Sequence, residues 1–367
     1  MKIIFLCGSL EPGRDGVGDY SRRLAGELIR QGHQSALLAL YDKNVPKILE
    51  EEQESEGISI PVLRISTQLA ANSRFTKAKT WIDQFDPEWL SLQYVPFSFQ
   101  KKGLPFGLAS KLKKIGIGRK WQIMFHELWV GMDSESPFKY KVWGEVQKII
   151  IHNIIAIVKP VKIHTQTRLY QAQLSRLGYK ANYLPLFGNI PVIIQKEKKS
   201  SINEQLTFLL FGSIHPGAPI VPFVKELAVY GQNNNKTIHF QFIGRCGTEL
   251  ENWCTACENA GLKTEVLGEQ SIEKISDVLS MADWGISSTP LLLIEKSGTA
   301  AAMQEHKLPI ICVSRNWEVK NAEKTLNYIP YYKKGKLEKT LAREEQESVL
   351  NSLAEISQQL SNSLIKI

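Results

Sequence analysis

Short apolar runs alternate with stretches of helical periodicity along most of the chain. In the first half, the runs that predict strands are Lys2–Leu6, Ser35–Leu40, Pro61–Ile65, Trp89–Leu92, Trp121–Phe125 and Lys162–Thr165. Runs this short, bounded by turn residues, are typical of buried parallel strands. Between them lie helical patterns such as Asp19–Gly32, which indicates a doubly wound α/β sheet. The segment Asn44–Glu56 predicts a loose, acidic surface helix.

A change of composition divides the chain. The polar stretch Gln195–Gln205, QKEKKSSINEQ, predicts an interdomain linker. After it the pattern starts again, with strands predicted at Leu206–Phe211, His239–Ile243, Thr264–Leu267, Trp284–Ser287 and Ile310–Val313. We therefore expect an N-terminal domain over residues 1–195, a second Rossmann-like domain over 206–340, and a C-terminal helix within 341–367 that packs towards the first domain.

Composition and charge narrow the class of protein. An apolar content of 43% is ordinary for a globular protein, and no run approaches the roughly 18–20 apolar residues of a membrane span. Five cysteines, with one isolated CxxC at Cys254 and Cys257, favour a reduced cytoplasmic protein over a zinc or redox site. A net charge of +8 favours an anionic ligand or surface. Because the lysines and arginines are scattered, nucleic acid is not expected.

The most informative stretch is Trp284–Pro309, in which a buried strand leads through a proline loop to an alanine-rich helix. A helix that opens at Ser297-Gly298-Thr299 offers unpaired N–H groups and the positive end of its dipole to an anion. Lys296 adds a full positive charge, and Glu295 adds a carboxylate that can accept hydrogen bonds from hydroxyls. The combination suits a sugar diphosphate. The alternative is an ordinary helix capped by serine or threonine.

Two features of the first half also lie at predicted carboxyl ends of strands, where open α/β sheets place their chemistry. The loop Gly8–Gly18 reads GxxGxG rather than GxGxxG, so its glycines allow close backbone approach to a ligand without indicating a dinucleotide. His126 ends the strand Trp121–Phe125, where it is either functional or simply packed. The lysines of 101–102 and 111–120 form either a solvated face or a surface for an anionic acceptor or lipid.

Two Rossmann-like halves, a polar linker and a last helix resemble the GT-B fold, whose two domains face a cleft. Motifs along the chain resemble the family-4-like (group 1) nucleotide-sugar glycosyltransferases. The residues that carry this resemblance are Gly13–Gly18 with Asp19–Arg23, His126, Phe242–Arg245, Leu267–Glu269, Met281–Asp283 and the domain-crossing segment Leu184–Pro191. Two departures stand out. Glu295 matches the first of the family's two glutamates, but Ala301–Met303 occupies the helix position of the second, and the loop Gly212–Pro216 lacks the family's Arg and Lys.

The resemblance implies a transferase that moves a sugar from a nucleotide-diphosphate donor to a hydroxyl acceptor, such as a polysaccharide or a lipid-linked glycan, with retention favoured. It implies the following roles: catalysis by His126, Glu295 and Asp19; diphosphate binding by Gly16, Val17, Gly18, Lys296, Ser297, Gly298 and Thr299; nucleoside binding by Gly244, Arg245, Glu269 and Gln270. No Asp-x-Asp occurs, so we expect neither a metal nor a cofactor. Contact with the inner membrane surface is a further expectation. The alternatives are a nucleotide-sugar epimerase and a non-catalytic nucleotide-sugar-binding protein.

Overall fold

The computed structural model describes residues 1–193, 204–320, 329–342 and 352–365, which form two compact units. Unit 1 comprises Met1–Pro185 together with residues 318–320 and 352–365, and unit 2 comprises the other described residues. Most of the predicted linker 195–205 lies outside the described residues, as does the start of the predicted last helix at 343–351. No described helix is both long enough and apolar enough to cross a bilayer.

Unit 1 is built on an eight-stranded sheet of order β3-β4-β2-β1-β5-β6-β7-β8. Its strands are β1 (Lys2–Cys7), β2 (Gln34–Asp42), β3 (Leu49–Ser55), β4 (Ile58–Ser66), β5 (Trp89–Tyr94), β6 (Lys120–Phe125), β7 (Lys162–Thr165) and β8 (Asn182–Tyr183). Its helices are α1 (Gly16–Arg30), α2 (Ala71–Phe85), α3 (Pro96–Phe99), α4 (Leu108–Ile115), α5 (Phe138–Val158) and α6 (Arg168–Arg176). All pairings are parallel except that of β3 with β4, and the central strands are buried on both faces.

The acidic segment Asn44–Glu56 is not the surface helix that its composition predicts. It contains β3, which runs antiparallel to β4 at the edge of the sheet with Leu49 opposite Arg64. Along the strand, Glu50, Glu52 and Glu54 alternate with less exposed positions. This period of two is the pattern of an edge strand, and the even-numbered glutamates face solvent, where charge discourages pairing with other chains.

Unit 2 is built on a five-stranded parallel sheet of order β11-β10-β9-β12-β13. Its strands are β9 (Gln205–Phe211), β10 (Thr237–Ile243), β11 (Lys263–Gly268), β12 (Trp284–Ser287) and β13 (Ile310–Cys312). Its helices are α7 (Ile220–Asn233), α8 (Leu250–Asn259), α9 (Ile272–Met281), the 3₁₀ helix Leu291–Lys296, α10 (Gly298–Glu305) and α11 (Leu337–Leu341). Both faces of the sheet are covered by apolar side chains, as parallel sheets require.

Two segments belong to a different unit from the one expected from their position in the sequence. Helix α12 (Leu353–Ile365) lies in unit 1, where it packs on α1 and Ala354 O accepts a hydrogen bond from Gln31. The segment after Pro185 lies in unit 2, although the predicted boundary at 195 placed it in the first domain. There the Gly188 N–H donates to Glu305 across 2.8 Å, and Ile190 is buried against α9 and α10 residues.

Candidate functional site

The sheet of unit 2 changes direction of winding between β9 and β12, because β10 and β11 follow on one side of β9 whereas β12 and β13 lie on the other. Loops diverge at such a point and leave a crevice at the carboxyl ends of the strands. Gly212 ends β9 there with φ +79°, a conformation that favours glycine. A Cβ atom at this position would lie 2.8 Å from Thr299 Cγ2, so the β9 loop and the start of α10 are in close contact.

The loop after β9 is tied to the loop after β12. The backbone N–H of His215 donates to Ser288 Oγ across 2.9 Å, and that hydroxyl reaches Ser213 O at 3.5 Å. The backbone N–H of Ile214 donates to Cys246 O, which connects the same loop to the one after β10. Three loops from neighbouring strands therefore hold each other at the switch point.

The N-terminus of α10 faces this crevice. Ser297 is its N-cap residue, with extended backbone and a side-chain oxygen that accepts from the Ala300 N–H at 3.3 Å. Its hydroxyl also lies 3.1 Å from Thr299 Oγ1. Across the described ranges, the backbone N–H groups of Gly298 and Thr299 find no acceptor. The helix therefore starts where the sequence predicts and is capped by Ser297, and two N–H groups remain that could bind an anion.

Positive charge gathers beside this helix start. Burial lowers the pKa of His215, and the nearby charges of Lys296 and Arg315 lower it further. Arg315 follows β13 and lies against the loop after β9, since a Cβ added to Gly217 would be 3.4 Å from the Cβ of Arg315. The sequence prediction placed Lys296 correctly at the start of the helix but missed His215 and Arg315. The available signal was their position, because each lies in the loop that follows a strand of the unit 2 sheet.

The predicted nucleoside residues occupy the neighbouring edge, after β10 and β11. Gly244 has φ +85°, and its N–H donates to Gly268 O at 2.7 Å. Arg245 Nε lies 2.8 Å from a carboxylate oxygen of Glu269, so two of the predicted nucleoside residues form an ion pair with each other. The side-chain NH₂ of Gln270 donates to Leu267 O. These residues form a polar rim of backbone groups and one exposed ion pair.

In unit 1 the glycine loop leads into α1, and several of its backbone N–H groups already have partners. The carboxylate of Asp15 accepts from the N–H groups of both Val17 and Gly18 at 3.0 Å. Asp19 accepts from the Gly13 N–H at 3.0 Å and pairs with Arg22 at 2.6 Å. A diphosphate at Val17 and Gly18 would meet the Asp15 carboxylate that caps this helix, and the predicted diphosphate contacts at Gly16, Val17 and Gly18 stay a prediction.

His126 lies at the carboxyl end of β6, as predicted, but its ring is only 5% exposed. Its Nε2 lies 2.8 Å from Gln93 Oε1, and its Nδ1 lies 3.1 Å from the side-chain amide of Gln166. The ring of Tyr20 packs edge-on against it at 5.0 Å. Both ring nitrogens are therefore bonded inside unit 1, which disfavours the predicted role of His126 as a base for an acceptor hydroxyl.

The hydrogen bonds of His126 belong to a chain that crosses the buried sheet. From His126 it runs through Gln93, Ser91, Gln122 and His164 to Ser363 of α12, and it ends at Leu360 O. The direction of the chain is set at its far end, where the Ser363 hydroxyl donates to Leu360 O and so accepts from His164 Nε2. Each donor then points the same way along the chain.

That direction fixes the proton of His126. Burial lowers the pKa of His164 to about 4, so this ring is neutral and its Nδ1 accepts from the NH₂ of Gln122. The Gln122 oxygen accepts from Ser91, and Ser91 accepts from the NH₂ of Gln93. The Gln93 oxygen is left to accept, so His126 carries a proton on Nε2. In the structure Nδ1 lies 3.1 Å from Gln166 Oε1, and the Gln166 NH₂ has no partner among the described residues. Turning the Gln166 amide by 180° would place that NH₂ where the unprotonated Nδ1 can accept from it.

The described residues contain no group of three or more His, Cys, Asp or Glu side chains arranged to hold a metal ion. The five cysteines are unpaired thiols, and Cys254 and Cys257 lie one turn apart on α8. Burial raises the pKa of Cys257 to about 12, which suppresses its thiolate. The CxxC pair thus has the character of packing residues.

Solved structures resemble the whole chain, whereas no protein-family profile and no curated protein matches its sequence. Anabaena Alr3699/HepE in complex with UDP and glucose is 13% identical, with a TM-score of 0.59 and 100% of each chain covered. The lipopolysaccharide outer core galactosyltransferase WaaB is 13% identical, with a TM-score of 0.55, covering 100% of this chain and 99% of WaaB. A putative UDP-N-acetylglucosamine 2-epimerase from Listeria monocytogenes is 9% identical, with a TM-score of 0.58, covering 100% of this chain and 95% of the other.

The chain has the GT-B fold. The predicted fold class is thereby confirmed, and at these identities the likeness concerns the fold alone.

The structure gives a physical reason why this chain lacks the second glutamate of the family that its sequence resembles. Its position in this chain is Met303, which is fully buried and whose Sδ would lie 2.6 Å from a Cβ on Gly285 of β12. Glu305 is two residues further along α10, on the other side of the helix, where it binds the Gly188 N–H. In this chain Met303 therefore makes an apolar contact with the sheet, and Glu305 is a structural carboxylate.

Proposed function

We propose that this protein is a glycosyltransferase that takes a sugar from a nucleoside-diphosphate donor and transfers it to a hydroxyl acceptor. The observation that carries the proposal is the start of α10, where two unpaired N–H groups, Lys296, His215 and Arg315 surround one crevice at the switch point of unit 2. Departing diphosphate charge is stabilised best by such preorganised donors and cations. The proposal names the class of donor, which is a sugar linked to a nucleoside diphosphate.

Each residue of the crevice has a role in this proposal. The N–H groups of Gly298 and Thr299 and the Lys296 ammonium bind the diphosphate, with Ser297 as the capping group. Arg315 takes the place of the cations that the β9 loop lacks. Glu295, in the 3₁₀ helix just before α10, accepts hydrogen bonds from the sugar hydroxyls and so orients the anomeric carbon. The polar rim of Gly244, Glu269 and Gln270 holds the nucleoside. We expect retention of configuration and no required metal.

Unit 1 supplies the acceptor side in this proposal. His126 shapes the floor of its carboxyl edge rather than taking a proton, since both of its nitrogens are bonded within the unit. Asp19, whose side chain keeps 24% exposure, is a partly accessible carboxylate there. UDP and glucose in the complex of Anabaena HepE are ligands of the class that the crevice of unit 2 fits.

Calorimetric titration with a panel of nucleotide sugars and free nucleoside diphosphates tests the proposal. Lys296→Gln and Arg315→Gln should each weaken diphosphate binding by about 2 kcal/mol, roughly 30-fold, because each removes a charged hydrogen-bond donor. Lys333→Gln, an exposed lysine elsewhere in unit 2, is the matched control and should bind as the wild type does.

Glu295→Gln should retain diphosphate binding but lose transfer, which separates sugar orientation from anion binding. Turnover of a donor in the absence of acceptor, giving an isomerised sugar, would identify an epimerase instead. If no nucleotide sugar in the panel binds, the proposed function is wrong.

A further inference from the structure

The side chains at the N-terminal end of α5 are exposed to solvent. Its first five residues, Phe138-Lys139-Tyr140-Lys141-Val142, are all solvent-exposed, and Phe138 keeps 81% of its surface. The loop before α5 covers one side of this tip, where Lys141 Nζ donates to Ser134 O at 2.9 Å and a Cβ added to Gly131 would collide with Tyr140 O. Exposed apolar and aromatic side chains in such a cluster mark an interaction surface rather than scattered surface residues.

A second exposed segment adjoins this tip. Trp143 Nε1 donates to Lys102 O at 3.0 Å, and Gln147 Nε2 donates to Gly103 O at 3.0 Å, so the loop 100–103 lies along the first turns of α5. A Cβ on Gly103 would be 2.9 Å from the Phe97 ring. We call the resulting set the aromatic–lysine surface, and it consists of Phe97, Lys101, Lys102, Phe106 and Phe138–Val142.

The aromatic–lysine surface contains four lysines and no Asp or Glu, and the exposed Glu135 lies three residues before α5. Between Glu88 and Glu127 the chain has seven lysines and arginines and no Asp or Glu. Within the described part of the chain, Lys101, Lys102, Lys139 and Lys141 are in no ion pair, while the nearest pair joins Lys148 to Glu145. The first turn of α5 contains no acidic residue. Lysines there oppose the helix dipole, so their placement is not explained by the stability of α5.

We infer that the aromatic–lysine surface docks unit 1 onto an anionic lipid bilayer. Lysines spaced among aromatic side chains combine electrostatic attraction to anionic headgroups with burial of apolar surface at the acyl boundary. Phe106, which is 68% exposed just before α4, provides a further apolar side chain for insertion.

The aromatic–lysine surface lies near the carboxyl edge of the unit 1 sheet. Pro96–Phe99 follows β5, and α5 is reached from the end of β6 just after His126, so both segments leave the carboxyl edge of the unit 1 sheet. Docking would bring that edge to the bilayer. Under the proposed function, on which this step rests, the acceptor hydroxyl then belongs to a lipid-anchored molecule.

Co-sedimentation of the full chain with vesicles tests the inference. We expect binding to vesicles of phosphatidylcholine and phosphatidylglycerol in equal amounts, and little binding to phosphatidylcholine alone. Lys139→Glu with Lys141→Glu should lower partitioning by about 25-fold or more, at about fivefold for each lysine near an anionic surface. Phe106→Ser with Phe138→Ser should lower it by at least about tenfold and abolish the part that survives high salt.

Two matched controls complete the design. Ile117→Ser removes an apolar side chain that is 71% exposed at the other end of α4, and Lys333→Glu with Lys334→Glu makes the same charge change in unit 2. Both should bind vesicles as the wild type does. Absence of vesicle binding, equal binding to both lipid compositions, or equal loss in test and control variants would each overturn the inference. Vesicle binding needs no nucleotide, so it fails or succeeds independently of nucleotide-sugar binding by the same variants.

Discussion

The Nε2 atom of His126 donates to the side-chain oxygen of Gln93 across 2.8 Å, inside unit 1. The proton is on that nitrogen because of groups far from it in sequence, the last of which is Leu360 O in α12. A buried chain of this kind fixes both the position and the tautomer of one ring. It also makes each member depend on its neighbours for a partner.

Gln93→Leu should lower the free energy of unfolding by about 2 kcal/mol, because it leaves His126 Nε2 buried without its acceptor and removes the N–H group from which Ser91 Oγ accepts. Urea titration followed by circular dichroism measures this change. A double-mutant cycle with His126→Leu provides the contrast, since removing both partners should cost less than the sum of the single changes. Strict additivity would show that the two side chains are not coupled.

Acid should destabilise the protein partly through His164. In the unfolded chain this group has its ordinary pKa of 6.5, whereas in the folded chain burial lowers it to about 4. The unfolded state therefore binds the proton first. The stability from a neutral His164 is complete above pH 6.5 and is lost as pH falls towards 4, by up to about 1.4 kcal/mol for each pH unit.

His164→Gln isolates that contribution, because the other histidines with lowered pKa values, such as His215 and His306, remain. The urea midpoint of the variant should fall less between pH 7 and pH 5 than that of the wild type. Parallel pH profiles for the two proteins would contradict the assignment.

Binding of a nucleoside diphosphate should raise the pKa of His215. The free protein holds that pKa below its ordinary value through burial and the charges of Lys296 and Arg315. A bound diphosphate adds negative charge to the same place, so binding takes up a proton and strengthens as pH falls through the pKa of the complex. The difference in UDP affinity between wild type and His215→Gln, measured by calorimetry over this range, isolates the effect from titration of UDP itself. A constant difference across pH would count against it.

Met303→Glu should not create the second glutamate of the family. The side chain of Met303 is fully buried against β12, so a carboxylate there would lose its hydration without a partner. We expect a loss of about 3 kcal/mol or more in unfolding free energy. Met303→Leu, which conserves volume, should cost less than about 1.5 kcal/mol. A stable Met303→Glu protein with improved donor binding would show that the helix can turn this position towards the crevice.

Much of the fold follows from local pattern. The strands with continuous apolar runs, such as Trp121–Phe125 and Leu206–Phe211, coincide with β6 and β9 to within a residue or so, because both faces of these strands are buried. Asn44–Glu56 misled the prediction because its acidic composition hid an alternation with period two. The alternation indicates a strand only when the pairing of this segment with β4 is known.

The candidate site was predictable only in part. The start of α10 was found because its capping serine and the preceding Glu295-Lys296 are adjacent in sequence. Arg315 and His215 were missed because 99 residues separate them from each other in numbering, and only the order of the strands brings them together. The capping of α1 by Asp15 was missed for another reason: a side chain and a ligand compete for the same N–H groups, and glycine spacing cannot tell which one is bound.

The place of α12 has a consequence for biosynthesis. This helix completes unit 1, yet the ribosome makes it after every described residue of unit 2. The sheet of unit 1 must therefore wait, with the Gln31 contact and the Ser363 end of its buried hydrogen-bond chain unmade, while unit 2 is synthesised and can fold. A nascent chain arrested before Ser352 should accordingly present a protease-resistant unit 2 beside a protease-sensitive unit 1.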